Sequence, residues 1–302
     1  MLNLYPLRRP GKLPDIVLNI AHRGARAFAP ENTLAAFAKA KSFGCQMFEL
    51  DVRLSRDGEL MVHHDEQLTR CTDVRAKFPG RNSYYIWDFS YDELSLLDAG
   101  SWYVEQLLLP RPQRQAFLQT LTDDELTRFV SRQEREFYAS GKIRLPTLRQ
   151  ALEFAGCADM MVNIELKTQP GRDMPVAEAV VRLVVAMGLE RRVLISSFEH
   201  RQLALVRQLS NTIATAVLTG DRLKRPNDYL QQLDADAFHP NCYSSDGGTL
   251  NLGDIAAVRA AGRYVNVWTC NHQDDMRRLI AAGVTGLISD YPNRVQEVLS
   301  AH

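Results

Sequence analysis

The chain has 302 residues, 45% hydrophobic and 24% charged, an ordinary balance for a protein that buries roughly three quarters of its unfolded surface. Its 36 basic and 36 acidic residues cancel, so no net field favours nucleic acid. The five cysteines (Cys45, Cys71, Cys157, Cys242, Cys270) show neither a CxxC pair nor zinc-type spacing with histidine, which predicts reduced, structural thiols.

The N-terminal MLNLYPLRRPGKLPDIVLNI carries a basic patch without the apolar stretch or cleavage site of a secretory signal. No apolar run reaches the about 18 residues of a membrane span, and the expected location is the cytoplasm. The first strand is expected at 17 to 21, VLNIA, and it runs straight into His22, Arg23 and Gly24. Two side chains able to carry positive charge at a strand end suit a bound anion, and the glycine permits a sharp turn. Further strands are expected at 47 to 53, 160 to 166, 193 to 198, 215 to 219, 236 to 240, 264 to 269 and 285 to 290, eight in all. Helical patterns lie between most of them, such as 32 to 44, 148 to 156 and 274 to 283, and several end in a glycine suited to a helix C-terminus. Strand and helix alternating eight times predict an α/β fold, a (β/α)8 TIM barrel.

One interval, 54 to 145, is longer than a crossover helix requires. We read the chain, 1 to 302, as one barrel domain with a cap insertion there, between the second and third strands and over the C-terminal face. Within it 58 to 65, GELMVHHD, reads as a strand after a turn at Asp57 and Gly58, and 122 to 138 reads as a helix begun by Thr122. Leu107, Leu108, Leu109 and Pro110 form a short apolar tip, better suited to the cap's own core or an oligomer interface than to lipid.

Alternation along MFELDVRL sends Phe48, Leu50, Val52 and Leu54 to the helices and Met47, Glu49, Asp51 and Arg53 inward. The same reading of MMVNIELK leaves Asn163, Glu165 and Lys167 inside. Three inward carboxylates repel one another at low dielectric unless protons or a cation neutralise them. A divalent ion held by oxygen alone, Mg2+ or Ca2+, resolves the conflict, and so would ion pairing with Arg53 and Lys167. His22 and one histidine of VHHD would add an acid/base pair titrating near neutral pH. His63 should face away from His64, His239 is a weaker pocket candidate, and His200, His272 and His302 lie in expected surface segments.

The segments IAHRGARAFAPENTLAAF, FELDVRLSRDGELMVHHDEQLTRCT, LPTLRQALEF, VNIELK, SSF, NVWTCN and GLISDYP together resemble the glycerophosphodiester phosphodiesterase family, over about 18 to 295 and in the family's order. Residues 100 to 144 show no family motif. The resemblance implies a Mg2+- or Ca2+-dependent phosphoric diester hydrolase that releases sn-glycerol 3-phosphate from a small glycerophosphodiester. It implies His22 and His64 as the acid/base pair, Arg23 and Lys167 at the phosphate, and Glu49, Asp51 and Glu165 as metal ligands. Glu31 would support the site and Trp268 would line the pocket. The implied route is attack of the glycerol 2-hydroxyl on phosphorus, then opening of a cyclic glycerol phosphate by water with the histidine roles reversed. A lysophospholipase D on the same barrel, or a barrel that binds a ligand without chemistry, is the alternative.

Overall fold

A computed structural model describes residues 7–8, 16–169, 176–243, 250 and 252–301, so His302 lies outside the described residues. Among the described residues nine strands form: β1 (Leu18–Ala21), β2 (Met47–Leu54), β3 (Leu60–Val62), β4 (Met161–Leu166), β5 (Val193–Ser197), β6 (Ala214–Thr219), β7 (Ala237–Pro240), β8 (Tyr264–Val267) and β9 (Gly286–Ser289). All but β3 run parallel in the order β1, β9, β8, β7, β6, β5, β4, β2, and β1 also pairs with β2, so the eight close into a barrel. The eight expected strands are those eight. The short β3 folds back antiparallel on the end of β2, after a turn in which Gly58 takes a φ of 87°.

The alternation of side chains sets the layers. Outward-facing Phe48, Leu50, Val52, Val162 and Ile164 join the helices in the main core, and Phe48 stacks on Phe37 of the helix Leu34–Ser42 at 4.2 Å. That helix starts where the Thr33 side chain accepts from the Ala36 N–H, and it stops before Gly44, whose φ is 74°. Inside the barrel, Ile20, Met47, Met161, Leu194, Tyr264 and Ile288 make an apolar floor. Glu49, Asp51 and Glu165 stand one or two inward positions further along their strands, toward the C-terminal face.

Beyond β3 the long interval folds as short helices. Its Val74, Ile86, Phe89, Tyr103, Leu118 and Val130 share one continuous cluster with the barrel's outer core. Tyr103 donates its hydroxyl hydrogen to the Ala27 carbonyl at 2.7 Å, and Arg294 pairs with Glu125 at 2.7 Å. Residues 122 to 138 differ from expectation, forming two helices, Asp123–Phe129 and Arg132–Tyr138. The break comes from Ser131, which is extended and makes a capping box with Glu134, so a second N-terminus forms inside the apparent pattern. Gly156 does not end its helix either: Leu148–Ala158 continues past it, and Asp159 adopts the left-handed turn at φ 53°. Of the leucine tip only Leu108 stands well exposed, at 81%, while Leu107 packs on the core. No helix among the described residues is long and apolar enough to cross a membrane.

Candidate active site

At the barrel's C-terminal face lies a cavity of about 440 Å³. Of the expected residues, His22, Arg23, Glu49, His64, Glu165 and Lys167 line it, as does Trp268. Asp51 and Glu31 are buried just behind this surface.

The turn after β1 is tightly made. Arg23 has a φ of 55° and Gly24 one of 77°, two left-handed residues in succession. A side chain at Gly24 would meet the backbone of Ala36 at 2.7 Å, so position 24 requires glycine for space as well as for φ. The turn aims the Arg23 N–H at Glu49 Oε2 (2.8 Å) and its guanidinium at Glu31 (2.9 Å) and Asp51 (3.4 Å).

Glu49, Asp51 and Glu165 offer oxygens that all lie within 4.8 Å of one another. Burial, then Asp51 and Glu165, push the Glu49 carboxyl well above the usual range. Burial also raises Glu165. Asp51 goes the other way, because Lys167, His64 and Arg23 outweigh its burial. Three buried carboxylates at this spacing carry more negative charge than Lys167 and Arg23 offset for all of them. Glu49 Oε1 is buried without a hydrogen-bond partner among the described residues, an oxygen left over for a cation. The donors are all oxygen, which fits Mg2+ or Ca2+ rather than zinc. Ion pairing takes up only part of the cluster. Lys167 sits against Glu165 and 3.2 Å from Asp51, but Arg53 turns away to the carbonyls of His64 (2.9 Å) and Thr168 (3.3 Å).

Each expected acid/base histidine has its own carboxylate. His22 Nδ1 lies 2.7 Å from Asp290 Oδ1, and His64 Nδ1 lies 2.6 Å from Asp65 Oδ1. Burial brings His22 down to about 4 against the opposing pull of Asp290. Asp290 itself is held down at about 2, its burial outweighed by Arg26 and the His22 and Asn271 bonds. An ionised carboxylate only accepts, so each Nδ1 carries the hydrogen and each Nε2 is the nitrogen with a free lone pair. His63 points the other way, buried, with Nε2 3.3 Å from the Gln67 carbonyl.

Several participants were not expected. Asp290, Arg26, Phe198 and Asn271 line the cavity beside Asn163, whose inward position the alternation of β4 predicts, and Phe117 and Thr120 of the insertion form part of its wall. Asn32, next to Glu31, holds Asp51 through Nδ2 at 2.8 Å. A carboxylate closing the last strand, as His22 closes the first, was the available sign for Asp290. His272 is exposed as expected, but at the rim of this cavity rather than on a remote surface. His239 is buried below it, with Nε2 2.9 Å from Asn266 Nδ2, and does not line it. Trp268 donates to the His239 carbonyl at 2.8 Å and meets Phe198 edge-on at 5.4 Å.

Residues 22–294 match the sequence profile of the glycerophosphoryl diester phosphodiesterase family. The glycerophosphodiester phosphodiesterase of Bacillus altitudinis is 30% identical over 279 residues, 92% of this chain and 96% of the relative. That of Caldanaerobacter subterraneus is 30% identical over 275 residues, 91% and 94% of the two chains. Among solved structures, an Oleispira antarctica phosphodiesterase in complex with the product sn-glycerol-3-phosphate superposes with a TM-score of 0.73 at 27% identity, covering 93% of this chain and 96% of the other.

Proposed function

The chain belongs to the glycerophosphoryl diester phosphodiesterase family, and on that premise we propose that it hydrolyses glycerophosphodiesters to sn-glycerol 3-phosphate and an alcohol. In this reading His22 and His64 exchange protons, and Glu49, Asp51 and Glu165 hold Mg2+ or Ca2+. The observation that carries it is the pairing, in one cavity, of two carboxylate-braced imidazoles with a buried acidic cluster flanked by Arg23 and Lys167. The product bound by the Oleispira antarctica neighbour supports the same substrate class.

Displacement at phosphorus needs a base for the incoming hydroxyl and an acid for the departing alcohol. His22 and His64, each fixed with Nδ1 on its aspartate, supply two Nε2 atoms for those roles. Arg23 and Lys167 lie where negative charge on the phosphoryl oxygens would be met by fixed positive charge, which favours the transition state over the ground state. A bound divalent cation would add to that neutralisation and lower the pKa of an attacking hydroxyl. Attack by the substrate's own 2-hydroxyl, then opening of the cyclic product by water, uses both imidazoles twice with their roles exchanged. Glu31 keeps Arg23 in place, and Trp268 with Phe198 offers an apolar wall to the glycerol or head-group carbons. Residues 54–145 act as a cap on the same domain, supported by the core cluster they share with the barrel and by Phe117 in the cavity wall.

The test is release of sn-glycerol 3-phosphate from glycerophosphocholine and glycerophosphoethanolamine after EDTA treatment, then with Mg2+ or Ca2+ restored. Release that returns with one of the ions is expected. Turnover unaffected by chelation would remove the metal from the reading. No release with either ion, together with turnover of lysophosphatidylcholine, would replace the substrate class.

A further inference from the structure

Arg70 lies in the short turn Leu68–Arg70, six residues beyond His64, and does not line the cavity. Its guanidinium has five N–H bonds, and all five are used. Nε donates to Asp65 Oδ2 (2.6 Å) and Nη2 to Asp65 Oδ1 (3.2 Å). On the other edge Nη2 donates to Glu31 Oε1 (2.6 Å), and Nη1 donates to Glu31 Oε2 (3.1 Å) and to Gln115 Oε1 of the insertion (3.0 Å). A planar fork gripping two carboxylates side by side is a task that lysine, with three donors on one point charge, cannot copy.

The two carboxylates do not depend on Arg70 equally. Glu31 also takes Arg23 at 2.9 Å and Arg26 at 3.5 Å, so it stays neutralised and anchored without Arg70. Among the described residues, hydrogen bonds to the Asp65 carboxylate come only from Arg70 and His64. Asp65 is otherwise a partly exposed side chain, and its Oδ1 is the atom that holds His64 Nδ1 at 2.6 Å.

We propose that Arg70 is a positioning residue for the reaction: anchored on buried Glu31, it fixes the plane of the Asp65 carboxylate and through it the direction of the His64 imidazole. The proposal rests on the reading above that His64 transfers a proton. Without Arg70, Asp65 is free to rotate about its side-chain bonds, and the population of correctly aimed His64 falls while the phosphate site of Arg23 and Lys167 stays built.

The experiment measures kcat and KM for glycerophosphocholine, with saturating divalent cation, in wild type, Arg70→Gln, Arg70→Lys, Asp65→Asn, the Asp65→Asn/Arg70→Gln double variant and His64→Ala. Arg70→Gln is expected to lower kcat by about 10- to 100-fold with KM within about threefold, and Arg70→Lys to recover little of it. In the Asp65→Asn background, Arg70→Gln is expected to cost less than about threefold more, because the path it uses is already cut. Losses that multiply in the double variant, an Arg70→Gln loss confined to KM, or near-normal turnover would each overturn the proposal. Melting temperatures identify any variant that fails to fold, and the Arg70→Lys and Asp65→Asn comparison then carries the same test: a lysine variant at wild-type kcat overturns it. If His64→Ala itself keeps normal turnover, the proton-transfer reading fails first. If His64→Ala is inactive while the Arg70 and Asp65 losses multiply, only the role of Arg70 fails.

Discussion

Replacing Asp290 by asparagine changes one atom and should disable His22. Two donors converge on this carboxylate, His22 Nδ1 at 2.7 Å on Oδ1 and Asn271 Nδ2 at 2.7 Å on Oδ2, and the Arg26 guanidinium makes an ion pair with Oδ1 at 2.8 Å. An asparagine offers one accepting oxygen and one NH2. With its oxygen toward His22, the NH2 faces the NH2 of Asn271, which cannot flip, because its own Oδ1 accepts from the Asp290 N–H and the Ser289 hydroxyl. With the NH2 toward His22, it stands against the Arg26 guanidinium and forces His22 into the other tautomer, with the hydrogen on the nitrogen that must exchange protons. Either way the group that braces His22 loses one charge-assisted hydrogen bond of about 1.5–3 kcal/mol. At tenfold per 1.36 kcal/mol, Asp290→Asn should lower kcat by about 10- to 150-fold. The assay is sn-glycerol 3-phosphate release across pH 6–9, with the melting temperature as a check on folding. In a His22→Ala background the same change should cost less than about threefold. A kcat within about threefold of wild type, or an equal loss with and without His22, would refute the role assigned to Asp290.

Because burial and two carboxylate neighbours push the Glu49 carboxyl well above the usual range, a cation binding there competes with a proton. Calorimetry in buffers of different ionisation enthalpy should therefore show net proton release on Mg2+ or Ca2+ binding, and affinity should weaken as pH falls through the raised Glu49 value. Glu49→Ala should lose ion affinity along with turnover, whereas His64→Ala should lose turnover and still bind the ion. Glu125, its burial opposed by the Arg294 fork and the Thr122 N–H, is held down to about 2, so its stabilisation is complete above its unfolded value near 4.5 and is lost as pH falls toward about 2. After allowance for solvent screening, Glu125→Gln should cost roughly 1–2 kcal/mol at pH 7 in urea melts and almost nothing near pH 2. Gly24→Ala must fit a methyl 2.7 Å from the Ala36 backbone at a φ of 77°, and should cost roughly 2–4 kcal/mol by the same melts; a loss under about 0.5 kcal/mol would mean the turn can re-form elsewhere.

The sequence alone carried the barrel and most of its site for one physical reason: period-two alternation fixes which side chains share a strand face. Met47, Glu49 and Asp51 share the inner face of β2, and Glu165 sits on the matching face of β4 beside Asp51, so the acidic cluster was legible from spacing once the strands were recognised. The same rule separated His64 from His63. Local chemistry was legible too, as in the Thr122 cap and the turn at Gly58. Only the tertiary structure decided the partners. Asp290 reaches His22 across 268 positions of chain, because barrel closure pairs β9 with β1. Arg70 meets Glu31 across 39 positions, and Phe117 enters the cavity wall through packing of an insertion whose helix break at Ser131 no apolar period announces. Periodicity is a property of one strand or helix. The braces that aim the two imidazoles join elements whose distance in space is set by how the ring of strands closes.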